Sequence, residues 1–143
     1  MKLTRRNFLK TTIGSAVLAG SPAAIAKAAE GTKIPKRKFG RHDDMLTVVG
    51  IGGHTLYYAG SQREANELVH RAYDLGVNFF ENAWAYHKGV SEEYMGNALK
   101  GKRENVFLMT KFSNFRGDGN PTLEGTMKHL EDSLRRLKTD YLD

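Results

Sequence analysis

Apolar positions along this chain fall into two alternating rhythms. Leu46-Thr47-Val48-Val49-Gly50-Ile51 is a β-branched run closed by Gly52-Gly53, and it predicts a buried strand. Ser61 then opens a helix, with Glu64 three residues on completing a capping box. Ala65, Leu68, Ala72 and Leu75 fall on one predicted face, and Gly76 is placed to end the helix. Val77-Asn78-Phe79-Phe80 predicts the second strand. Ser91 begins a shorter helix with Met95, Ala98 and Leu99 apolar and Gly101 at its end. Val106 to Thr110 is the third strand. Asn120-Pro121 starts a third helix, since proline is tolerated in the first turn. Its stripe is Leu123, Met127, Leu130, Leu134 and Leu137, and Asp140 to Asp143 read as the start of a fourth strand. The segment Lys33 to Asp44 is placed as a hairpin closing the floor of the fold, with Gly40 near its turn.

Predicted strand starts near 47, 77, 106 and 141 are spaced by 30, 29 and 35 residues. That is close to the ~31 residues per unit of an eight-fold βα barrel. The fold class expected is therefore α/β, a (β/α)8 TIM barrel with the first three to four βα units present. A doubly wound sheet has the same alternation, but its nucleotide-binding form carries G-x-G-x-x-G after the first strand. Gly50-Ile51-Gly52-Gly53 runs on into His54-Thr55-Leu56 without the third glycine. The barrel is favoured.

Charge first suggests a nucleic-acid partner and then withdraws the suggestion. Of the net +6, residues 1–26 contribute +4 through Lys2, Arg5, Arg6 and Lys10. Most of the rest lies between Lys27 and Arg41, and beyond Arg41 the chain is slightly acidic with no basic face interleaved with aromatics. There are no cysteines, which excludes disulfides, thiolate nucleophiles and cysteine-held metals. No pair of histidines has ligand spacing, so no metal is expected. No apolar run nears the ~20 residues of a membrane span, so no stable membrane insertion is expected.

The N-terminus combines Arg5-Arg6-Asn7-Phe8-Leu9-Lys10, a short apolar run from Thr11 to Gly20, and the small-x-small pattern Ala24-Ile25-Ala26. A basic region, a short apolar region and such a site make up a secretory signal. The paired arginines followed by Phe-Leu-Lys resemble the twin-arginine consensus. That resemblance implies a signal peptide over 1–28, recognition by the twin-arginine translocase, and a periplasmic or otherwise exported protein domain over 29–143. The twin-arginine route carries folded proteins, which suits an enzyme that must acquire its cofactor before export.

In a parallel βα fold the chemistry gathers at the C-terminal ends of the strands. Glu81 ends the second strand and Lys111 the third, and neighbouring strands lie ~4.8 Å apart. Tyr86 follows Glu81 by five residues and is placed to turn back over the pair. A phenol with pKa near 10 is a poor acid at neutral pH. An adjacent ammonium favours its ionised form, and a carboxylate holds the lysine in place. Trp84 and His87 occupy the same mouth loop as candidate substrate contacts, His87 equally as a solvated side chain. Gly53, His54 and Thr55 follow the first strand and are candidates for touching nicotinamide or substrate. His70 and His129 are placed on outward helix faces, and Phe112 to Gly119 as a polar rim loop.

At these residues the chain resembles the aldo-keto reductase family. Gly76-Val77-Asn78-Phe79-Phe80-Glu81-Asn82-Ala83-Trp84-Ala85-Tyr86 is similar to the family segment G-I-N-F-F-D-T-A-x-x-Y. Val106 to Lys111 is similar to its third strand ending in lysine. Ser91-Glu92-Glu93 with Gly96, Ala98 and Leu99 resembles S-E-x-x-x-G-x-A-L, and Ser133 to Asp143 resembles S-L-x-R-L-x-x-D-Y-L-D. The resemblance implies an eight-stranded barrel that uses NADPH to reduce a small-molecule carbonyl, an aldehyde or ketone. It makes Tyr86 the general acid, Lys111 the residue that tunes it, and Glu81 the ion-pair partner, where the family has aspartate. Glutamate is one methylene longer. The resemblance places the family's active-site histidine beyond Asp143, with most of the dinucleotide site. A non-catalytic nucleotide-binding or redox-sensing protein on the same scaffold, or an inactive fragment, are the competing readings.

Overall fold

The computed structural model describes residues 34–112 and 122–143. The signal peptide read over 1–28, most of the rim loop and the helix start at Asn120-Pro121 lie outside the described residues.

Strand β1 (Lys36–Lys38) pairs antiparallel with β2 (Met45–Thr47), with Lys36 opposite Thr47. Gly40 turns the hairpin at φ +58°. A separate parallel sheet follows, ordered β3 (Ile51–Gly52), β4 (Phe79–Glu81), β5 (Phe107–Met109). Its register sets Ile51 against Phe80 and Phe80 against Leu108. The single strand read over Leu46–Ile51 is thus two elements. Leu46 and Thr47 belong to the hairpin, and only Ile51 and Gly52 enter the parallel sheet. Between them Val48 and Val49 are half exposed. Asn78 joins the two sheets, its Oδ1 accepting from Thr47 N at 2.9 Å and its Nδ2 donating to Met45 O at 2.9 Å. The hairpin therefore stands at the N-terminal ends of the parallel strands, the end opposite Glu81.

Each parallel strand is followed by a helix. After β3 come the short α1 (Gly53–Leu56), a 3₁₀ turn over Tyr57–Ala59, and α2 (Gln62–Asp74). After β4 come a 3₁₀ turn over Tyr86–Gly89 and α3 (Val90–Ala98). After β5 comes α4 (Leu123–Leu137). The start of α2 follows the sequence closely: Ser61 Oγ accepts from Glu64 N at 3.2 Å and donates to Glu64 Oε2 at 2.8 Å. Gly76, at φ +91°, takes the left-handed position just beyond its end. Helix α4 is capped by Thr122, whose Oγ1 accepts from Gly125 N at 3.0 Å.

Strand alternation decides what faces what. Phe80 and Leu108 point to the helices and are fully buried against Ala65, Val69 and Ala72 of α2 and Met95 and Ala98 of α3. Burying a side chain of this size contributes about 1.5–3 kcal/mol. Phe79 and Phe107 point to the other side, 6.0 Å apart, with Phe39 of the hairpin turn 5.2 Å from Phe107. Helices α3 and α4 touch backbone to backbone at Gly96, where a Cβ would stand 2.6 Å from Leu137 C. The helix faces are rotated from those read in the sequence. Val69 is buried on α2 while Leu68 and Leu75 are exposed, and of the α4 stripe only Leu137 is fully buried. The parallel strands start at 51, 79 and 107, a repeat of 28 residues. Asp140–Asp143 form no strand, although Asp143 N donates to Leu108 O at 3.1 Å alongside β5. Among the described residues no helix is long and apolar enough to cross a membrane.

Candidate active site

The alternation that buries Phe80 and Leu108 turns Glu81 and Lys111 to the opposite face, at the C-terminal ends of neighbouring strands. The ladder continues past the regular strands, with Asn82 N donating to Met109 O and Trp84 N to Lys111 O, both at 2.8 Å. This extension carries Lys111 level with the residues after Glu81. Its Nζ donates to Glu81 Oε2 and, at 2.8 Å, to Asn82 O. The longer glutamate side chain therefore reaches the lysine. Tyr86 comes back over the pair, as its offset suggests, with Lys111 Nζ 4.9 Å from its ring centroid.

Electrostatics at this lysine are a contest. Partial burial, the largest single influence, pulls its pKa down. The bound Glu81 carboxylate, and Tyr86 beside it, outweigh it and hold the ammonium above its ordinary 10.5. The group is a fixed cation at neutral pH.

Tyr86 opens a turn in which His87 (φ 49°) and Lys88 (φ 57°) are left-handed, followed by Gly89 at φ +95°. Such strain in non-glycine residues costs of order 1–3 kcal/mol each and persists only where surroundings enforce it. His87 Nε2 lies 3.0 Å from His54 O, and its ring stacks on Tyr57 at 4.1 Å. His54 meets Tyr86 edge-on at 5.1 Å. Glu81, Lys111, Tyr86, His54 and His87 thus form one group at the strand ends.

The other sequence candidates are placed differently. Gly53 presses on Asn82, with no room for a Cβ, and Thr55 Oγ1 donates to Gly52 O at 3.2 Å. Trp84 turns toward α4, stacked on His129 at 3.8 Å. His129 is therefore covered by an aromatic face rather than simply solvated. His70, also read as outward, is exposed as expected, with its Nε2 2.8 Å from Ala98 O.

Three residues that the sequence reading passed over complete the picture. Asn82 is fully buried, its Nδ2 donating to Ser91 O at 3.0 Å and its Oδ1 accepting from Ala83 N at 2.9 Å. Glu92 is also fully buried and pairs with Arg136 at 3.2 Å. The available signal was position: Glu92 lies one turn before Gly96 on the packed face of α3, and Arg136 lies between Ser133 and Leu137 on α4.

Residues 48–143 match the Aldo/keto reductase family. The chain is 37% identical over 102 residues to the methylglyoxal reductase YeaE of Escherichia coli (strain K12), covering 71% of this chain and 34% of that one. The solved aldo-keto reductase AKR11C1 from Bacillus halodurans superposes with a TM-score of 0.66 at 30% identity, covering 77% of this chain and 38% of that one. An aldo-keto reductase from Klebsiella pneumoniae in complex with NADPH gives a TM-score of 0.61 at 30% identity, covering 78% and 38%. The chain spans about a third of the length of the curated relatives it matches. Its three βα units have the arrangement of the TIM-barrel fold of these proteins.

Proposed function

The chain belongs to the aldo/keto reductase family, and from that premise we propose that its chemistry is NADPH-dependent reduction of a small aldehyde or ketone, with Tyr86 as the general acid. One observation carries the reading: the Lys111 ammonium is bound by Glu81 and lies 4.9 Å from the Tyr86 ring centroid at the mouth end of the parallel sheet. As a carbonyl carbon is reduced, its oxygen gathers negative charge and must take a proton. The Tyr86 hydroxyl supplies that proton, and the adjacent ammonium stabilises the phenolate left behind. Glu81 keeps the lysine charged and in place. A positioned general acid of this kind contributes roughly 10²–10⁴-fold to a rate. That Glu81 reaches Lys111 favours this reading over a non-catalytic scaffold.

The residues present fit the reducing end of a nicotinamide cofactor. The mouth offers a cation, a phenol and the flat ring of His54, gathered at the C-terminal ends of the strands. Of Gly53, His54 and Thr55, only His54 presents its side chain to Tyr86, so it is the one of the three assigned to that end; His87 remains the substrate-contact candidate, whereas Trp84 is turned to His129 of α4. NADPH, when bound, supplies the hydride. The solved NADPH complex of a relative supports this choice of cofactor.

We further infer export to the periplasm through the twin-arginine translocase. The support is the Arg5-Arg6 motif and the Ala24-Ile25-Ala26 pattern, both outside the described residues.

Tyr86→Phe removes one oxygen and keeps the ring. NADPH-linked reduction of small aldehydes and ketones should disappear while NADPH binding, followed by nucleotide fluorescence, stays as in the unaltered chain. Turnover that survives the substitution, or its absence in the unaltered chain, refutes the assignment.

A further inference from the structure

Glu92 takes no part in the proton transfer, yet its side chain is wholly removed from water. A buried carboxylate is tolerated only when paired and hydrogen-bonded. Here both oxygens are engaged. Oε1 accepts from Thr110 Oγ1 at 2.7 Å, and Oε2 from Arg136 Nη1 at 3.2 Å. Arg136 Nη1 also donates to Trp84 O at 3.2 Å. The same guanidinium fills the space beside Gly89, where a Cβ would stand 2.5 Å from its Cζ.

These contacts fall on both sides of the reacting groups. Thr110 is the residue before Lys111. Trp84 lies two residues before Tyr86, and Gly89 ends the strained turn that Tyr86 begins. An apolar pair would fill this volume at no cost in desolvation, but it could bind neither a hydroxyl at the end of β5 nor a carbonyl in the loop after β4. We propose that Glu92 and Arg136 are positioning residues, a buried ion pair that fixes the strand end bearing Lys111 and the turn bearing Tyr86 to one another through α3 and α4. The inference rests on the reading of Tyr86 and Lys111 as an acid and its tuning cation.

Removing one partner leaves an unpaired buried charge, so Glu92→Gln alone risks unfolding. The informative variant is the double substitution Glu92→Met with Arg136→Met, which keeps apolar bulk and leaves no lone ion. In the full chain, isotope-labelled lysine side chains report the Lys111 titration, and labelled tyrosine rings report the surroundings of Tyr86. The signals are assigned by their loss in Lys111→Met and Tyr86→Phe. With far-UV circular dichroism unchanged, the Lys111 midpoint should fall toward that of an exposed lysine and the Tyr86 signals should shift. Carbonyl reduction should drop about 100-fold in kcat, the scale of a misplacement near 1 Å, while NADPH affinity holds. A folded double variant in which Lys111 titrates and Tyr86 resonates as before overturns the proposal. If the unaltered chain reduces no carbonyl but the signals still move, the positioning role stands and only the reductase assignment falls.

Discussion

Gly53→Ala separates a packing role from a ligand-contact role at a residue that the sequence marks for the cofactor. An ideal Cβ at position 53 would lie 2.4 Å from Asn82 Cγ and Nδ2 and 2.5 Å from Oδ1, where ordinary contact begins near 3.4 Å. Asn82 must therefore retreat by about 1 Å from a close-packed site. It has nowhere free to go, being fully buried and bonded to Ser91 O and Ala83 N. Overpacking of this kind costs about 1–3 kcal/mol. A buried amide bond lost in the process adds about 1–3 kcal/mol. Alanine returns up to about 1 kcal/mol as a better helix former at the start of α1. The net expectation is a loss of about 2–4 kcal/mol, or a fall in Tm of roughly 10–25 °C for a domain of this size. Circular dichroism melting measures it directly. Gly52→Ala is the neighbouring control, because its Cβ would stand at an ordinary 3.6 Å from Glu81 Oε1 and should cost much less. Asn82 O also holds Lys111 Nζ, so the lysine should be disturbed along with the fold. If the melting temperature of Gly53→Ala matches that of the unaltered chain and only NADPH affinity falls, the packing account is wrong and the glycine meets the cofactor.

What the sequence disclosed, and what it hid, follow from the range of the forces involved. Ser61 and Gly76 were readable because capping and left-handed turns are settled within a few residues of chain. Glu81 and Lys111 were readable because period-two alternation and strand order place two strand-end side chains together with little else specified. The run from Leu46 to Ile51 misled because apolarity does not name a pairing partner. Thr47 belongs to a hairpin stapled by Asn78, and Gly50 is pressed against Phe79, where a Cβ would stand 2.6 Å from Cδ1. On α2, Ala65-Leu68-Ala72-Leu75 and Ala65-Val69-Ala72 both satisfy helical spacing. The second is buried because small and branched residues let the helix close on Phe80. Glu92 and Arg136 stayed hidden for the opposite reason. Charged residues are ordinarily solvated, and only tertiary packing shows that these two are enclosed.

Two further outcomes test the remaining readings. Replacing Arg5 and Arg6 together by lysine preserves charge but removes the paired guanidinium groups. Cell fractionation should then find the protein retained in the cytoplasm, and undiminished export would refute the twin-arginine reading. Glu81→Gln keeps the size of the side chain at the mouth and removes its charge. The Lys111 titration measured by nuclear magnetic resonance should move down from its raised position, because burial would then act with less opposition. The sign of the stability effect follows. A lysine whose folded pKa lies above 10.5 binds its proton more tightly when folded, so its contribution is complete below pH 10.5 and is lost as pH climbs through the higher folded value. From neutral pH upward, the stability advantage of the unaltered chain over Glu81→Gln should accordingly be level and then shrink in strong alkali. The Lys111 and Glu81 side chains are 43% and 30% exposed, so the advantage itself is small, as solvent screening requires. An advantage that already shrinks between pH 7 and pH 9 would assign the effect to another group and remove Glu81 as the partner that holds Lys111.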